Sequence, residues 1–290
     1  MSTQTPPLMQ NNPLQLWGIE SLILGSWGDI KTAKTTLGLT FPKPLVHFDF
    51  DQGFHRAAPR FSGFNILKLQ LNEPLSPAHL ASGADIISKP YLMPVKFPGQ
   101  KTNLDMQLLD SYIIPDMVTA CQATGVKSIC LDTGTVLWHC VTDATLQRIQ
   151  QNNPSRQQLI QIEYRRANSD MRALCLLPRA YGKHLYITHH QTANYQSLVQ
   201  GQEAVRVGET WDGWNRIGGV VDTVVYTSIQ RSMIPGTIPP QQRSIPQGTI
   251  LTCGLTLAAE GKVLDNPSFE DILSCILLSR LDEMGQAGRI

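Results

Sequence analysis

The sequence predicts an α/β fold in which helices flank a mostly parallel central sheet. Short apolar segments rich in β-branched and aromatic residues alternate along the chain with longer segments of helical periodicity. That alternation is typical of strands connected by crossover helices. Two later apolar segments, residues 219–229 and 248–258, look like paired antiparallel strands that close the sheet.

Each element is assigned from its own pattern. Strands are predicted where β-branched and aromatic residues cluster, at residues 21–27, 44–50, 64–70, 127–132 and 183–189. Helices are predicted where apolar residues recur at helical spacing, at residues 34–40, 104–124, 134–150 and 157–179. A final helix should begin after Ser268, because Glu270 and Asp271 then fall in its first turn. Residues 72–103 are rich in proline and lack clear periodicity, so we expect a long surface insertion there.

Composition indicates a globular protein. The chain of 290 residues is 42% hydrophobic and 16% charged, enough to bury a large core. We expect one domain over residues 19–290, preceded by a polar, Pro-rich flexible arm over residues 1–18. No segment is long and apolar enough to cross a membrane, so we expect a cytoplasmic protein with no membrane partner.

The net charge bears on nucleic-acid binding, and the cysteine pattern bears on disulfides and metal sites. The net charge of +1 creates no overall field for nucleic acid, so binding to nucleic acid would need a local basic patch. The six cysteines form no CxxC pair and lie in apolar segments, as reduced core thiols do.

The segment after the first predicted strand is a candidate phosphate-binding loop. Such a loop needs a strand before it, backbone N–H groups around the phosphates, a lysine and a hydroxyl residue for Mg²⁺. In one register, Gly25 opens the loop and Lys31 and Thr32 close it. That register places the β-branched residue Ile30 where glycine is expected.

A second register fits better. Gly28 opens the loop, Ala33 replaces the closing glycine, and Lys34 and Thr35 begin the next helix. Alanine is the smallest departure from glycine, although its Cβ lies where backbone must approach a phosphate. An ordinary strand-to-helix turn is the alternative interpretation. The predicted nucleotide-binding residues are Gly28, Asp29, Ile30, Lys31, Thr32, Ala33, Lys34, Thr35 and Thr36.

Carboxylates end two other predicted strands. Asp49 and Asp51 follow the second strand, and Asp132 ends the strand "SICLD" just before Thr133. A strand that ends in a carboxylate beside a phosphate-binding loop can hold Mg²⁺. For a lone aspartate, a turn or cap role is the common alternative.

Together, these segments resemble a known family. "LILGSWGDIKTAKTTLGLTFPKPLVHFDFD", "VKSICLDTGTVLW", "YGKHLYITHHQTANY", "GWNRIGGVVDTVVY" and "NPSFEDIL" are similar to phage-encoded RecA-like P-loop ATPases of the AAA-type group, including phage single-strand-annealing proteins. The resemblance spans about residues 20 to 280. It implies a RecA-like fold that binds ATP and Mg²⁺, with Lys34 and Thr35 as the Walker A lysine and hydroxyl. It also implies that Thr35 and Asp132 hold the metal and that Asp51 takes the place of the glutamate that activates water.

The same resemblance assigns two histidines. His189 and His190 follow the strand "HLYIT" and occupy the place of polar residues that sense the γ-phosphate. A histidine at a strand end is also often a hydrogen-bonded structural group.

Residues 191–217 form a candidate DNA-binding loop or hairpin. Aromatic side chains interleaved with arginines can stack on unpaired bases and hold their phosphates. The alternative is that the tryptophans pack a hairpin onto the sheet. The predicted nucleic-acid residues are Arg206, Trp211, Trp214 and Arg216, with Tyr195 nearby.

The sequence therefore predicts an ATPase that acts on single-stranded DNA in phage recombination, annealing or replication and assembles into a ring or filament of identical chains. Two alternatives stay open: a scaffold or DNA-binding module whose altered loop hydrolyses little or no ATP, and a motor or loader ATPase for replication or packaging. Candidates for an arginine finger toward a neighbouring subunit are Arg165, Arg166, Arg172 and Arg231.

Overall fold

The computed structural model describes residues 20–95, 102–196, 205–234 and 241–287. Within these ranges ten strands form the sheet, in the spatial order β10-β9-β8-β1-β6-β5-β2-β4-β3, with β7 paired to β6. The strands are β1 Ile23–Gly28, β2 Leu45–Asp49, β3 Ile66–Lys68, β4 Ile86–Pro90, β5 Ser128–Asp132, β6 His184–Gln196, β7 Val205–Trp211, β8 Thr223–Ile234, β9 Gln241–Cys253 and β10 Val263–Asp265.

The predicted α/β class is confirmed. Every pair from β8 across to β3 is parallel, whereas β9 and β10 pair antiparallel at the other side of β8. The antiparallel closing strands predicted at residues 219–229 and 248–258 are therefore β8 and β9. Because β1, β2 and β5 are parallel, their carboxyl ends meet at one edge of the sheet.

Helices cover both faces of the sheet and create two cores. The helices are α1 Lys34–Gly38, α2 Phe54–Ala57, α3 Pro77–Leu80, α4 Leu104–Leu108, α5 Ile114–Gln122, α6 Gly134–Asn152, α7 Tyr164–Ala180 and α8 Phe269–Ala287. One core packs α5, α6 and α7 on the sheet and includes Ile23 and Met117. The other packs α1 and α8 on the opposite face and includes Leu24, Leu37 and Ile272. Ile23 and Leu24 enter different cores because neighbouring side chains of a strand point to opposite faces.

The predicted surface insertion at residues 72–103 is wrong in its central part. This segment contributes α3 and β4, and β4 lies inside the sheet between β2 and β3. Lys89 is fully buried in β4, where its ammonium lies 3.6 Å from the Asp116 carboxylate and 4.4 Å from the centre of the Tyr91 ring. Residues 96–101 of the segment lie outside the described residues.

Two strands continue beyond the sheet as long arms. The end of β6 pairs antiparallel with β7, from Gln191 opposite Trp211 to Gln196 opposite Val205, within the segment predicted as a loop or hairpin. The end of β8 pairs antiparallel with β9 from Ser228 to Ile234. Both arms rise at the carboxyl edge, from the two strands that flank β1. Their connecting residues, 197–204 and 235–240, lie outside the described ranges.

Two helix predictions need adjustment. The helix predicted at 157–179 begins only at Tyr164, because residues 153–163 form turns. The helix predicted at 104–124 is α4 and α5, joined by a π-helical turn over Leu109–Ile113. The arm predicted at residues 1–18 lies outside the described residues. Among the residues described, no helix has the length and hydrophobicity needed to span a membrane.

Candidate functional site

The candidate loop joins β1 to α1 at the carboxyl edge of the sheet. Gly28 ends β1 where only glycine fits, because a Cβ there would lie 2.1 Å from the Thr227 carbonyl oxygen of β8. Thr32 is held from the same side, since its hydroxyl lies 2.8 Å from the Thr227 hydroxyl. The loop is thus fixed against β8 before α1 begins.

Lys34 is the first residue of α1 and is almost buried. Its ammonium donates to the carbonyl oxygens of Gly28, at 2.9 Å, and Asp29, at 2.7 Å. Burial lowers the pKa of Lys34, while Asp132, Asp29 and Asp51 act in the opposite direction. Lys31 is exposed in the loop. The geometry therefore favours the register in which Lys34 closes the loop.

Ala33 has the backbone conformation that normally selects glycine. Its φ is 67° and its ψ is 21°, in the left-handed region, and Lys31 has a φ of 65°. A left-handed conformation costs an L-residue about 1–2 kcal/mol. Ala33 thus adopts the backbone conformation that glycine would adopt. We therefore expect the alanine to lower the stability of the loop without changing its backbone conformation.

Asp132 is buried at the end of β5 and is held by three side chains. The Thr35 hydroxyl donates to Asp132 Oδ2 at 2.6 Å, and the Thr188 hydroxyl donates to Asp132 Oδ1 at 2.6 Å. His47 Nε2 lies 3.4 Å from Oδ2. Burial alone would raise the pKa of Asp132, but His47, Thr188 and Thr35 outweigh it and lower that pKa below its ordinary value. The carboxylate is thus ionised beside the Thr35 hydroxyl.

Three carboxylates face each other at this edge. Oxygens of Asp49, Asp51 and Asp132 all lie within 4.8 Å of one another. Asp49 is engaged with the start of α2, since it accepts from the N–H groups of Gly53 at 2.8 Å and Phe54 at 3.2 Å. Oxygen ligands of this kind suit Mg²⁺. With the Thr35 hydroxyl, the donor set fits the predicted metal.

Asp51 is the least buried of the three carboxylates. Burial, together with the nearby charges of Asp132 and Asp49, raises the pKa of Asp51 to about 6. Arg56 Nη2 and His190 Nε2 each lie 4.0 Å from Asp51 Oδ2. A carboxyl group with a pKa near neutrality can exchange protons with water in the physiological range.

A cavity of about 330 Å³ lies between the loop and these strand ends. The predicted residues Ile30, Lys31, Thr32, Ala33, Lys34, Thr35 and Thr36 all line it, as do Asp51, Asp132 and His190. Gly28 and Asp29 instead bind the Lys34 ammonium through their carbonyl groups. A second cavity of about 90 Å³ adjoins it and shares Ala33, Thr36 and Arg60.

Sequence reasoning missed two arginines of the site. Arg56 and Arg60 line the larger cavity from the segment that follows β2. The available signal in the sequence was the four-residue spacing of the two arginines in the segment after β2. Residues four apart lie on one face where a chain is helical.

The two histidines differ in position. His190 lines the cavity, whereas His189 is buried on the opposite face of the sheet. His189 Nδ1 lies 3.0 Å from the Asp212 carbonyl oxygen, and burial lowers the pKa of His189 to about 4. The structural alternative therefore describes His189. The strand alternation that separates them was readable in the sequence.

The predicted nucleic-acid residues do not form one surface. Trp214 is 1% exposed and its indole N–H donates to Asn168 Oδ1 at 2.8 Å, so it cannot stack on a base and this prediction is wrong. Trp211 packs edge-on against Trp27, with ring centres 6.5 Å apart. Arg206 is exposed and bonds to Glu209 at 2.8 Å, and Arg216 is also exposed.

Comparison with known proteins finds likenesses among solved structures but none among family models or curated proteins. No protein-family model matches the chain, and no curated protein matches it. A solved structure of a KaiC-like protein from the hyperthermophilic archaeon Pyrococcus horikoshii OT3 is similar over 85% of this chain and 89% of that protein, with 11% sequence identity and a TM-score of 0.40. At these values the likeness identifies no activity, and the site is interpreted from its own geometry.

Proposed function

We propose that this chain is a RecA-like ATPase that binds ATP with Mg²⁺ in the larger cavity and hydrolyses it. One observation carries the proposal: a nearly buried lysine closes a strand-to-helix loop, and the next residue, Thr35, bonds to a buried carboxylate on a separate strand. An ordinary turn has no need of this pairing. A polyphosphate needs the lysine for charge and the hydroxyl and carboxylate for its metal.

Lys34 is poised to exchange partners. Its ammonium is satisfied by two carbonyl groups of the loop, and phosphate oxygens are stronger acceptors for a cation than neutral carbonyl groups. Thr35 and Asp132 would hold Mg²⁺, which neutralises charge on the β- and γ-phosphates when bound. Asp51 would orient the attacking water, since it faces the cavity and its pKa lies near neutrality.

The smaller cavity is the natural place for the base and ribose. It shares Ala33 and Thr36 with the larger cavity, and it is lined by Gln247 and Asn266 but not by Asp51. Amide side chains can donate and accept hydrogen bonds with a base edge. His190, rather than His189, is the histidine that would sense the terminal phosphate.

Single-stranded DNA is the proposed partner. The outer parts of both arms are exposed on both faces, and they present Arg206, Arg231 and Arg243. Two-stranded ribbons of this kind are marginal alone, so contact with a partner would stabilise them. Arginines suit a phosphate backbone. A role in phage recombination, annealing or replication, and assembly into a ring or filament, rest on the sequence resemblance.

The scaffold alternative also has an observation in its favour. The loop satisfies Lys34 internally and is strained at Ala33 and Lys31, which is compatible with a loop that binds nucleotide weakly. Turnover decides between the two, because a scaffold would bind DNA without hydrolysing ATP.

The decisive experiment measures ATP binding by calorimetry and phosphate release with and without a single-stranded oligonucleotide. Lys34→Ala should abolish ATP binding, whereas the matched variant Lys31→Ala should weaken it only modestly because Lys31 is exposed. Equal losses from both variants would contradict the register. Absence of ATP hydrolysis by the unaltered protein, with DNA bound, would support the scaffold instead.

A further inference from the structure

Arg56 lines the larger cavity beside Asp51. This arginine lies on α2, directly after the strand that ends at Asp49. Its guanidinium is mostly exposed toward the cavity, and Nη2 lies 4.0 Å from Asp51 Oδ2. The guanidinium adds a cation with a planar fork of N–H donors to this end of the cavity.

Gly53 shows where this cation lies. A Cβ on Gly53 would be 2.8 Å from Asp51 Oδ1, 3.1 Å from Arg56 Nη2 and 3.5 Å from the Thr35 hydroxyl oxygen. The three side chains therefore converge on one small space that the glycine leaves open. Two of them are the groups assigned above to the attacking water and to the metal. The terminal phosphate must lie between those two groups if they act on it.

The position of Arg56 is fixed by its backbone. Asp49 accepts from the N–H groups of Gly53 and Phe54, which attaches the start of α2 to the end of β2. Phe54 and Ala57 are buried against the core, which leaves Arg56 on the cavity side. Its long side chain is therefore presented from a rigid base rather than from a free loop.

Charge explains why a cation is needed at this point. The carboxylates of Asp49, Asp51 and Asp132 lie within 4.8 Å of one another, next to the place of the terminal phosphate. A triphosphate carries more negative charge than a diphosphate, and that extra charge would be placed beside these carboxylates. Lys34, and the Mg²⁺ that Thr35 and Asp132 would hold, would also compensate charge on the β-phosphate. Arg56 is the cation placed on the far side, next to Asp51.

We propose that Arg56 is an arginine finger supplied by the same chain, which binds the γ-phosphate and distinguishes ATP from ADP. This inference rests on the proposed ATPase function. Arg60 provides an internal comparison, because it lies in the 3-10 helix that follows α2 and lines both cavities, whereas Asp51 lines only the larger one. It should contact the nucleotide without sensing the third phosphate.

The test compares dissociation constants for ADP and for a non-hydrolysable ATP analogue, both with Mg²⁺, by calorimetry. Arg56→Ala should weaken binding of the ATP analogue by about tenfold or more, the scale of a lost charged hydrogen bond, and change ADP binding by less than about twofold. Arg60→Ala should change both affinities by the same factor. Arg56→Lys should recover part of the discrimination, since it keeps the charge and loses the planar fork.

Two further variants distinguish an error in the proposed ATP site from an error in the role of Arg56. Lys127→Ala, at an exposed position just before β5, should behave like the unaltered protein. Lys34→Ala should abolish binding of both nucleotides, and if it binds them normally, the proposed ATP site is wrong and the inference about Arg56 falls with it. If Lys34→Ala loses binding while Arg56→Ala weakens both nucleotides equally, or neither, the ATP site stands and the role given to Arg56 is wrong.

Discussion

The strained closing position of the loop makes a quantitative prediction. Ala33 holds φ at 67°, which costs an L-residue about 1–2 kcal/mol, and glycine adopts the same conformation without that cost. Glycine also gives the unfolded chain more freedom, which offsets about 0.4–1 kcal/mol of the gain. Ala33→Gly should therefore raise the free energy of unfolding by about 0.5–1 kcal/mol. In a domain of this size the melting temperature should rise by about 1–4 °C.

Denaturant unfolding, monitored by circular dichroism, measures this change directly. Lys31→Gly is the matched control, because Lys31 has a φ of 65° in the same loop and is exposed. Both variants should gain stability by similar amounts. ATP affinity of Ala33→Gly should be preserved, and its turnover should equal or exceed that of the unaltered protein. A loss of stability in Ala33→Gly, with a gain in Lys31→Gly, would show that the Ala33 methyl group packs usefully and would refute the strain argument.

The remaining predictions concern the carboxylate edge and the tryptophans. Asp51→Asn should leave ATP affinity nearly intact and slow hydrolysis by about a hundredfold or more; unchanged turnover would remove Asp51 from the mechanism. The pKa of Asp51 is raised to about 6, so ionising it costs stability as pH rises from about 4 to 6, and Asp51→Asn should remove that loss in unfolding experiments across this range. Turnover of the unaltered protein should fall as pH drops through about 6. Gly53→Ala should impair Mg²⁺-dependent ATP binding, because the methyl group would enter the space between Asp51 and Thr35, while normal ATP binding would show that this space is not used. Trp214→Ala should destabilise the fold by about 3–5 kcal/mol, whereas a stable Trp214→Ala variant with weakened single-strand binding would restore the stacking role.

Sequence patterns located the groups of the site that lie at strand ends. Lys34 and Thr35 follow the loop after β1, Asp51 follows the end of β2, and Asp132 ends β5. Parallel strands bring their carboxyl ends to one edge. Residues that follow different parallel strands can therefore be predicted to lie close together at this edge. The sequence also predicts that only one of the two histidines faces the cavity, because adjacent side chains of a strand point to opposite faces of the sheet.

Other features depend on contacts that no local pattern records. Lys89 and Pro90 are part of β4, but a lysine and a proline break its apolar pattern and made the segment look exposed. The carboxylate of Asp116 on α5 lies 3.6 Å from the Lys89 ammonium and compensates the burial of its charge. Trp211 and Trp214 have the same local signal, and only the packing of Trp214 against α7 through Asn168 separates them. Nothing in the sequence around Arg56 indicates that its guanidinium lies close to Asp51 and Thr35, around the space left open by Gly53.

Strand β8 connects the cavity with one of the arms. Thr227 bonds to Thr32 of the loop, and Ile229, two residues further, lines the cavity. Arg231 follows on the same face, because side chains two apart in a strand point the same way. A phosphate that moves the loop would therefore act on the root of the arm whose outer part carries Arg231. In an ATPase that binds DNA through its arms, β8 would link the nucleotide to one arm, and β6, which carries His190 at the root of the other arm, would link it to the second.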